Sequence, residues 1–201
     1  MADDLDMREI AERLYARALE LDSLKYGDFT LSSGQKSTYY FDGRMLSTDP
    51  EGADLISEAF LSAINETGAQ AFGGPTVAAV PIVGSLALRA RLDGRDLTGF
   101  FVRPDAKEHG AGKQIEGNLK PGMKVAAFDD TVSTGGSLLE AIDAVEAFGC
   151  KVVLVMAILD RQQGGSGEIE RRGIPFFKLW ESTPEGKVTL ASFPELASDT
   201  P

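Results

Sequence analysis

The sequence is poor in the residues that build disulfides, zinc sites and membrane spans. It has one Cys and one His in 201 residues. Cys150 alone cannot form an internal disulfide, and one Cys with one His is too small a ligand set for a structural zinc site. The longest purely apolar run, residues 152–159, is too short to cross a bilayer as a helix. The N-terminus is acidic, where a signal peptide needs a basic start. These absences predict a cytoplasmic protein with no membrane partner.

Basic residues are also in deficit. The chain has 20 Lys and Arg against 31 Asp and Glu, a formal net charge of -11. A general nucleic-acid binder needs a basic face for phosphate contacts, so no nucleic-acid partner is expected. Apolar residues make up 43% and charged residues 25%, an ordinary balance for a globular protein. The length predicts a single domain over residues 1–201.

The hydrophobic pattern predicts an α/β fold. An amphipathic helix is expected over 5–21, short strands and turns over 22–49, and a second helix from Pro50. From residue 69 onward strand-like and helix-like segments alternate, which is typical of a doubly wound, mainly parallel sheet. The strands are predicted at 69–72, 97–102, 124–128 and 150–159, with helices near 81–90 and 138–148. Ligands of such sheets bind beyond the carboxyl ends of the strands. The loops that begin at 73, 103, 129 and 160 are therefore the candidate site.

The most specific segment is VAAFDDTVSTGGS at residues 125–137. A hydrophobic strand leads into two adjacent carboxylates, Asp129 and Asp130, and a loop of small hydroxyl and glycine residues precedes a helix. Small residues let backbone N–H groups close around an anion, and a helix N-terminus adds partial positive charge. Carboxylates accept hydrogen bonds from ribose hydroxyls. The segment therefore predicts a sugar-phosphate site, against the simpler alternative of a strand–helix turn with Asp as a helix cap. Other phosphate-binding and nucleophile motifs are absent from the chain.

This segment resembles the phosphoribosyl-pyrophosphate (PRPP) signature of type I phosphoribosyltransferases. Three more segments resemble those of the orotate phosphoribosyltransferases within that family: GDFTLSSGQKSTYYFD at 27–42, FVRPDAKEHG at 101–110 and LDRQQG at 159–164. The four segments occur in the family's order. The resemblance implies a central parallel sheet flanked by helices, with a small N-terminal hood mainly from 1–45 and a PRPP-binding core at about 50–175.

The resemblance also implies roles for individual residues. The PRPP-binding set runs from Asp129 to Ser137: Asp129, Asp130, Thr131, Val132, Ser133, Thr134, Gly135, Gly136 and Ser137. Arg103, Lys107 and His109 match residues that contact the pyrophosphate, and with Asp130 they form the expected catalytic set. Orotate is expected to bind Ser133 and Arg161, with Tyr40 and Phe41 packed along its ring.

The implied reaction joins orotate to PRPP and releases pyrophosphate, a step of pyrimidine biosynthesis that yields orotidine 5′-phosphate. The expected cofactor is Mg²⁺, bound mainly through PRPP with no direct protein ligand. The expected assembly is a homodimer that shares the 103–117 loop across subunits. Pro104, Ser32 and Ala78 stand where some members of the family have lysine, which removes three cationic contacts.

Two alternatives remain open from the residues alone. An enzyme of the same fold could act on a purine or uracil, since the PRPP segment does not discriminate between bases. A PRPP-sensing regulator could keep the fold without catalysis. The charged loop at 103–113 could also be an ordinary solvated loop, and the aromatic residues 39–41 ordinary strand core. Trp180 and the pair Phe176–Phe177 are expected to be core or interface residues.

Overall fold

The computed structural model describes residues 6–30, 34, 36–65, 67–104 and 114–193. These contain helices α1 (Met7–Glu20), α2 (Gly43–Ser47), α3 (Pro50–Asn65), α4 (Ala79–Leu92), α5 (Gly136–Ala147) and α6 (Gly165–Arg171). The strands are β1 (Leu24–Thr30), β2 (Lys36–Phe41), β3 (Ala71–Pro75), β4 (Thr98–Val102), β5 (Ile115–Gly117), β6 (Lys124–Val132), β7 (Lys151–Asp160), β8 (Phe176–Ser182) and β9 (Val188–Leu190).

The central sheet confirms the predicted α/β class. Its strand order is β5-β4-β3-β6-β7-β8-β9, and the four inner pairings from β4 to β8 are parallel. The edge strands β5 and β9 run antiparallel to their neighbours. Strands β1 and β2 form a separate antiparallel hairpin. Among the described helices, none has the length and apolar character that crossing a membrane requires.

Two hydrophobic clusters cover the two faces of the sheet, and β6 contributes alternate residues to each. Ala126 and Phe128 face the cluster that contains α1, α3, α4 and the β1–β2 hairpin. Val125 and Ala127 face the cluster of α5 and α6. This alternation follows from the two-residue period of a strand. The hairpin thus shares one continuous hydrophobic core with α3. The boundaries of the N-terminal hood and of the PRPP-binding core stay a prediction.

Trp180 anchors the N-terminal helix to the sheet, which confirms its predicted place in the core. It has no exposed surface, and its indole N–H donates to the carbonyl oxygen of Ala11 at 3.1 Å. Its ring meets Tyr15 and Phe41 edge to face, each with a centroid distance of 5.7 Å. A buried indole needs such a polar partner for its N–H.

Two predicted strand ends are wrong, and both errors matter for the site. Strand β3 continues through Gly73 and Gly74, which the sequence placed in a loop. A Cβ on Gly74 would lie 1.8 Å from the carbonyl oxygen of Phe128, so glycine here allows close strand packing rather than a turn. Strand β6 continues to Val132 instead of ending at Phe128, so the acidic pair lies on the strand itself.

The polar stretch after β4 also has more structure than a single loop. Strand β5 returns antiparallel beside β4, and the Arg103 N–H donates to the carbonyl oxygen of Gln114 at 2.9 Å. Residues 103 and 114 therefore lie side by side at the base of this segment. Lys107 and His109, both predicted site residues, lie outside the described residues.

Candidate active site

A cleft of about 670 Å³ opens at the carboxyl end of the sheet. It lies where β6, the β7–α6 connection, the β1–β2 hairpin and the start of α4 meet. Seven predicted site residues line it: Tyr40, Phe41, Asp130, Thr131, Ser133, Thr134 and Arg161. The structure therefore brings together residues from three of the four sequence segments. Other predicted residues do not line the cleft: Arg103, Asp129, Val132, Gly135, Gly136 and Ser137.

The two adjacent carboxylates occupy different environments because they alternate along β6. Asp129 is buried, and its carboxylate accepts hydrogen bonds from the Asp130 backbone N–H at 2.9 Å and from Ser137 Oγ at 3.4 Å. Burial, with the negative charge of Asp130 beside it, raises the pKa of Asp129 well above its usual range. Asp130 instead lines the cleft. Asp129 thus joins the strand to α5, whereas Asp130 is the carboxylate that lines the cleft.

The backbone of α2 is packed directly against Asp130. A Cβ on Gly43 would lie 2.6 Å from the Asp130 Cβ and from its Oδ2. Burial raises the pKa of Asp130, and the negative charge of Asp42 raises it further, whereas the positive charge of Arg44 lowers it. Asp42 and Arg44 both line the cleft. Sequence reasoning did not select either residue for the site.

The loop between β6 and α5 presents backbone N–H groups at a helix start. Gly135 has a φ of 80°, a left-handed conformation that favours glycine. No side chain caps α5 within the part of the chain that the structure describes. The first turn of this helix therefore keeps unpaired N–H donors of the kind that bind phosphate.

Arg161 approaches the cleft from the end of β7. Its guanidinium carbon lies 5.1 Å from the centroid of the Tyr39 ring. Its Nε atom is buried and has no hydrogen-bond partner among the described residues. A buried donor of this kind is costly unless a ligand completes it. Asp160, which is fully buried, holds the turn by accepting from the Gln162 N–H at 2.8 Å and pairing with Lys178 at 3.0 Å.

Tyr40 and Phe41, the aromatic pair predicted to pack on orotate, differ in exposure because neighbouring residues of β2 point to opposite faces. Tyr40 is 39% exposed, whereas Phe41 is 6% exposed. The Phe41 ring packs edge to face on Trp180, although the residue still lines the cleft.

Arg103, predicted for pyrophosphate, lies at the base of the β4–β5 segment, with a guanidinium nitrogen 3.9 Å from a carboxylate oxygen of Glu116.

Two backbone hydrogen bonds join the end of β6 and the loop after it to the loop that connects β7 to α6. The Arg161 N–H donates to the carbonyl oxygen of Val132 at 2.8 Å, and the Gly165 N–H donates to that of Ser133 at 3.0 Å. A Cβ on Gly165 would lie 2.8 Å from both the Ser133 oxygen and the Gly135 nitrogen. The close approach of the two loops therefore requires glycine at this position.

If the 133–135 loop binds the phosphate of PRPP, as the sequence predicts, Gly165→Ala should displace this loop and raise KM for PRPP by about 10-fold, the cost of losing one well-placed anion contact. Gly167→Ala is a matched control, because the same methyl group on the same helix would meet no atom within 4 Å. Steady-state kinetics of both variants check this prediction. Equal kinetics for the two variants would contradict it.

Comparison with known proteins agrees with this geometry. A phosphoribosyl transferase domain model matches residues 45–178. Orotate phosphoribosyltransferases of Rhodopirellula baltica and Aquifex aeolicus are 40% and 41% identical to the chain, covering 87% and 83% of it and 92% of each relative. A crystal structure of Mycobacterium tuberculosis orotate phosphoribosyltransferase in complex with PRPP has a TM-score of 0.68 and 29% identity, covering 87% of this chain and 94% of that one. The chain therefore belongs to the orotate phosphoribosyltransferases, a family of phosphoribosyl transferase domain proteins.

Proposed function

We propose that the cleft binds PRPP and orotate together and joins them into orotidine 5′-phosphate and pyrophosphate. The observation that carries this proposal is the common cleft. It is lined by Asp130, by the hydroxyl residues Thr131, Ser133 and Thr134, and by Arg161. Backbone hydrogen bonds fix the end of β6 and the loop after it to the loop after β7. One wall offers groups for a ribose phosphate and the other offers a guanidinium for a carboxylate.

The ribose phosphate is assigned to the end of β6 and the start of α5. Thr131, Ser133 and Thr134 donate hydroxyls, and the N–H groups at the start of α5 surround the 5′-phosphate. Asp130 accepts hydrogen bonds from the ribose hydroxyls. Asp129, the buried partner, keeps Ser137 and the first turn of α5 in place.

Orotate is assigned to the side of the cleft formed by Arg161 and the hairpin. Its carboxylate and ring carbonyl suit a guanidinium, which presents several donors in a fixed plane. Ser133 contributes a hydroxyl, and the exposed ring of Tyr40 packs along the pyrimidine. Phe41 supports this wall from the core side.

The transition state develops positive charge on the anomeric carbon and negative charge on the leaving pyrophosphate. Arg103, Lys107 and His109 are proposed to stabilise the leaving group from the segment between β4 and β5. Residues 105–113 of this segment lie outside the described residues, and the resemblance to the family's catalytic loop alone supports its closing over the cleft to keep water from the reactive carbon. The two ends of the segment, residues 103 and 114, lie side by side.

The cleft suits Mg²⁺ that arrives with PRPP. In the described part of the chain, no group of three or more His, Cys, Asp and Glu residues could hold a metal. The Asp130 carboxylate is an oxygen donor on the cleft wall, and such surroundings suit Mg²⁺ that is bound through substrate phosphates and keeps several waters. When bound, Mg²⁺ would neutralise part of the charge of the leaving pyrophosphate.

A homodimer with the 103–117 segment shared between subunits is part of the proposal. One face of α4 supports it, because Val80, Leu88 and Leu92 are exposed there at 38%, 64% and 73%. An apolar stripe of this kind is typical of a surface that a second copy covers. The cytoplasm is the proposed compartment, consistent with a single free Cys150.

We expect Asp130→Asn to raise KM for PRPP by about 10-fold or more, because a neutral amide accepts weaker hydrogen bonds from ribose hydroxyls than a carboxylate does. KM for orotate is expected to change much less. Initial rates at varied PRPP and varied orotate separate the two effects. Unchanged PRPP kinetics would remove Asp130 from the ribose site.

The reaction itself is tested by following the ultraviolet absorbance of orotate with PRPP and Mg²⁺. Parallel reactions contain adenine, hypoxanthine or uracil in place of orotate. Loss of orotate that requires both PRPP and Mg²⁺ supports the proposal, and turnover of another base instead would overturn it. Binding of PRPP without turnover of any base would identify a PRPP sensor.

A further inference from the structure

Asp42 and Arg44 form an ion pair on the cleft wall next to Asp130. Arg44 Nε and Nη2 each donate to one carboxylate oxygen of Asp42, both at 2.8 Å. The two residues flank Gly43, whose backbone lies against the Asp130 side chain. The pair therefore stands beside the carboxylate that the proposed function assigns to ribose.

The charges of the cleft leave one cation unassigned. Of the described residues that line it, Asp42 and Asp130 are acidic, and Arg44 and Arg161 are basic. PRPP brings a phosphate and a pyrophosphate, and orotate brings a carboxylate. The α5 start takes the phosphate and Arg161 takes the orotate carboxylate. Arg44 is thus the described cation of the cleft that is available for the pyrophosphate.

Arg44 can leave Asp42 without breaking the local structure. The Arg44 side chain is 59% exposed, whereas that of Asp42 is 16% exposed. Asp42 also caps α2 by accepting from the Arg44 backbone N–H at 3.1 Å, and this bond does not depend on the guanidinium. A guanidinium that binds one carboxylate through two donors can bind a phosphate in the same way.

The position of Arg44 beside Asp130 favours the pyrophosphate over the 5′-phosphate and the orotate carboxylate. The positive charge of Arg44 lowers the pKa of Asp130 and so acts directly on that carboxylate. In PRPP the 2-hydroxyl of ribose is next to the anomeric carbon, which carries the pyrophosphate. A cation beside the ribose-binding carboxylate is therefore close to the leaving group.

We propose that Arg44 binds the pyrophosphate of PRPP, exchanging Asp42 for phosphate oxygens when the substrate enters. This inference rests on the proposed function, because it uses the ribose site at Asp130. It adds a contact from the N-terminal part of the same chain to those expected from Arg103, Lys107 and His109. Arg44 would thereby supply positive charge to a cleft that is lined by Ala78 at a position where some family members have lysine.

The test compares three variants in the full-length protein, using inorganic pyrophosphate with Mg²⁺ as the probe. Arg44→Gln is expected to weaken pyrophosphate binding, measured by calorimetry, and to raise KM for PRPP, each by about 10-fold. Asp42→Asn keeps an oxygen cap for α2 but releases the guanidinium, so it is expected to bind pyrophosphate at least as tightly as the natural chain. Arg8→Gln removes the same charge from an exposed pair on α1 and serves as the control.

Opposite effects of the substitutions at 44 and 42 distinguish ligand binding from a structural role. Equal weakening by both would show that only the ion pair matters, and this would overturn the proposal. A rise in KM for orotate alone would also overturn it, since Arg44 would then belong to the orotate carboxylate. If the natural chain turns over no base, the proposed function fails, while the calorimetric comparison still tests Arg44. Thermal unfolding of each variant checks that the fold is retained.

Discussion

Replacing Lys107 with alanine is expected to lower kcat by about 100-fold or more, the usual cost of removing one donor from a developing anion. The expectation rests on the resemblance of FVRPDAKEHG to the family's catalytic loop, because Lys107 lies outside the described residues. The lysine charge matters most when the bond to pyrophosphate breaks. The proposed orotate site is formed by Arg161 and the hairpin, so KM for orotate is expected to change little.

Lys113→Ala is the matched control for Lys107→Ala. It removes the same charge from the same segment, two positions before β5 begins at Ile115. Initial-rate measurements with both substrates, together with a direct measurement of orotate binding, separate turnover from affinity. The assignment of Lys107 fails if orotate affinity falls as much as kcat, or if the two alanine variants behave alike.

The second large effect is expected from Arg161→Gln, which should lower kcat/KM for orotate by about 100-fold, as truncation of a buried charge pair commonly does. The buried Nε has no hydrogen-bond partner among the residues that the structure describes, and the guanidinium lies over Tyr39. Both features suit a side chain that a ligand completes. PRPP binding is expected to persist, because the Arg161 backbone N–H that holds Val132 is unchanged by the substitution.

Arg161→Lys tests the geometry behind this effect. Lysine keeps the charge but not the planar set of donors, so it is expected to recover only a small part of the lost activity. Calorimetric titration of PRPP into each variant reports on the other half of the site. A loss of PRPP affinity as large as the loss for orotate would show that Arg161 acts by supporting the phosphate loop.

Much of the fold could be predicted because its signals are local. The apolar run of β7 and the helical spacing of Ile10, Leu14 and Ala18 indicate their elements without any knowledge of neighbours. The helix predicted near 81–90 is present as Ala79–Leu92, and the one predicted near 138–148 is present as Gly136–Ala147. The strands and helices beyond residue 160 were not predicted, since their apolar segments are short and interrupted.

The strand ends could not be predicted, because glycine has two uses. In the sequence, Gly73 and Gly74 are indistinguishable from turn residues. In the fold they stand between β4 and β6, where the carbonyl oxygens of Phe100 and Phe128 leave no room for a Cβ. The small and polar residues after Phe128 likewise favour a turn, yet parallel pairing with β7 extends β6 to Val132.

The strand–loop–helix segment to which the phosphate and ribose are assigned could be recognised from the sequence, because all of its parts are neighbours along the chain. Which of its two carboxylates faces the cleft depends on the packing of the whole fold. Extension of β6 turns Asp129 toward Ser137 and Asp130 toward the cleft, since adjacent strand residues point to opposite faces. The packing of the whole fold also decided that Asp42 and Arg44 join the site. They come from a distant part of the chain, and the packing of Gly43 against Asp130 brings them there.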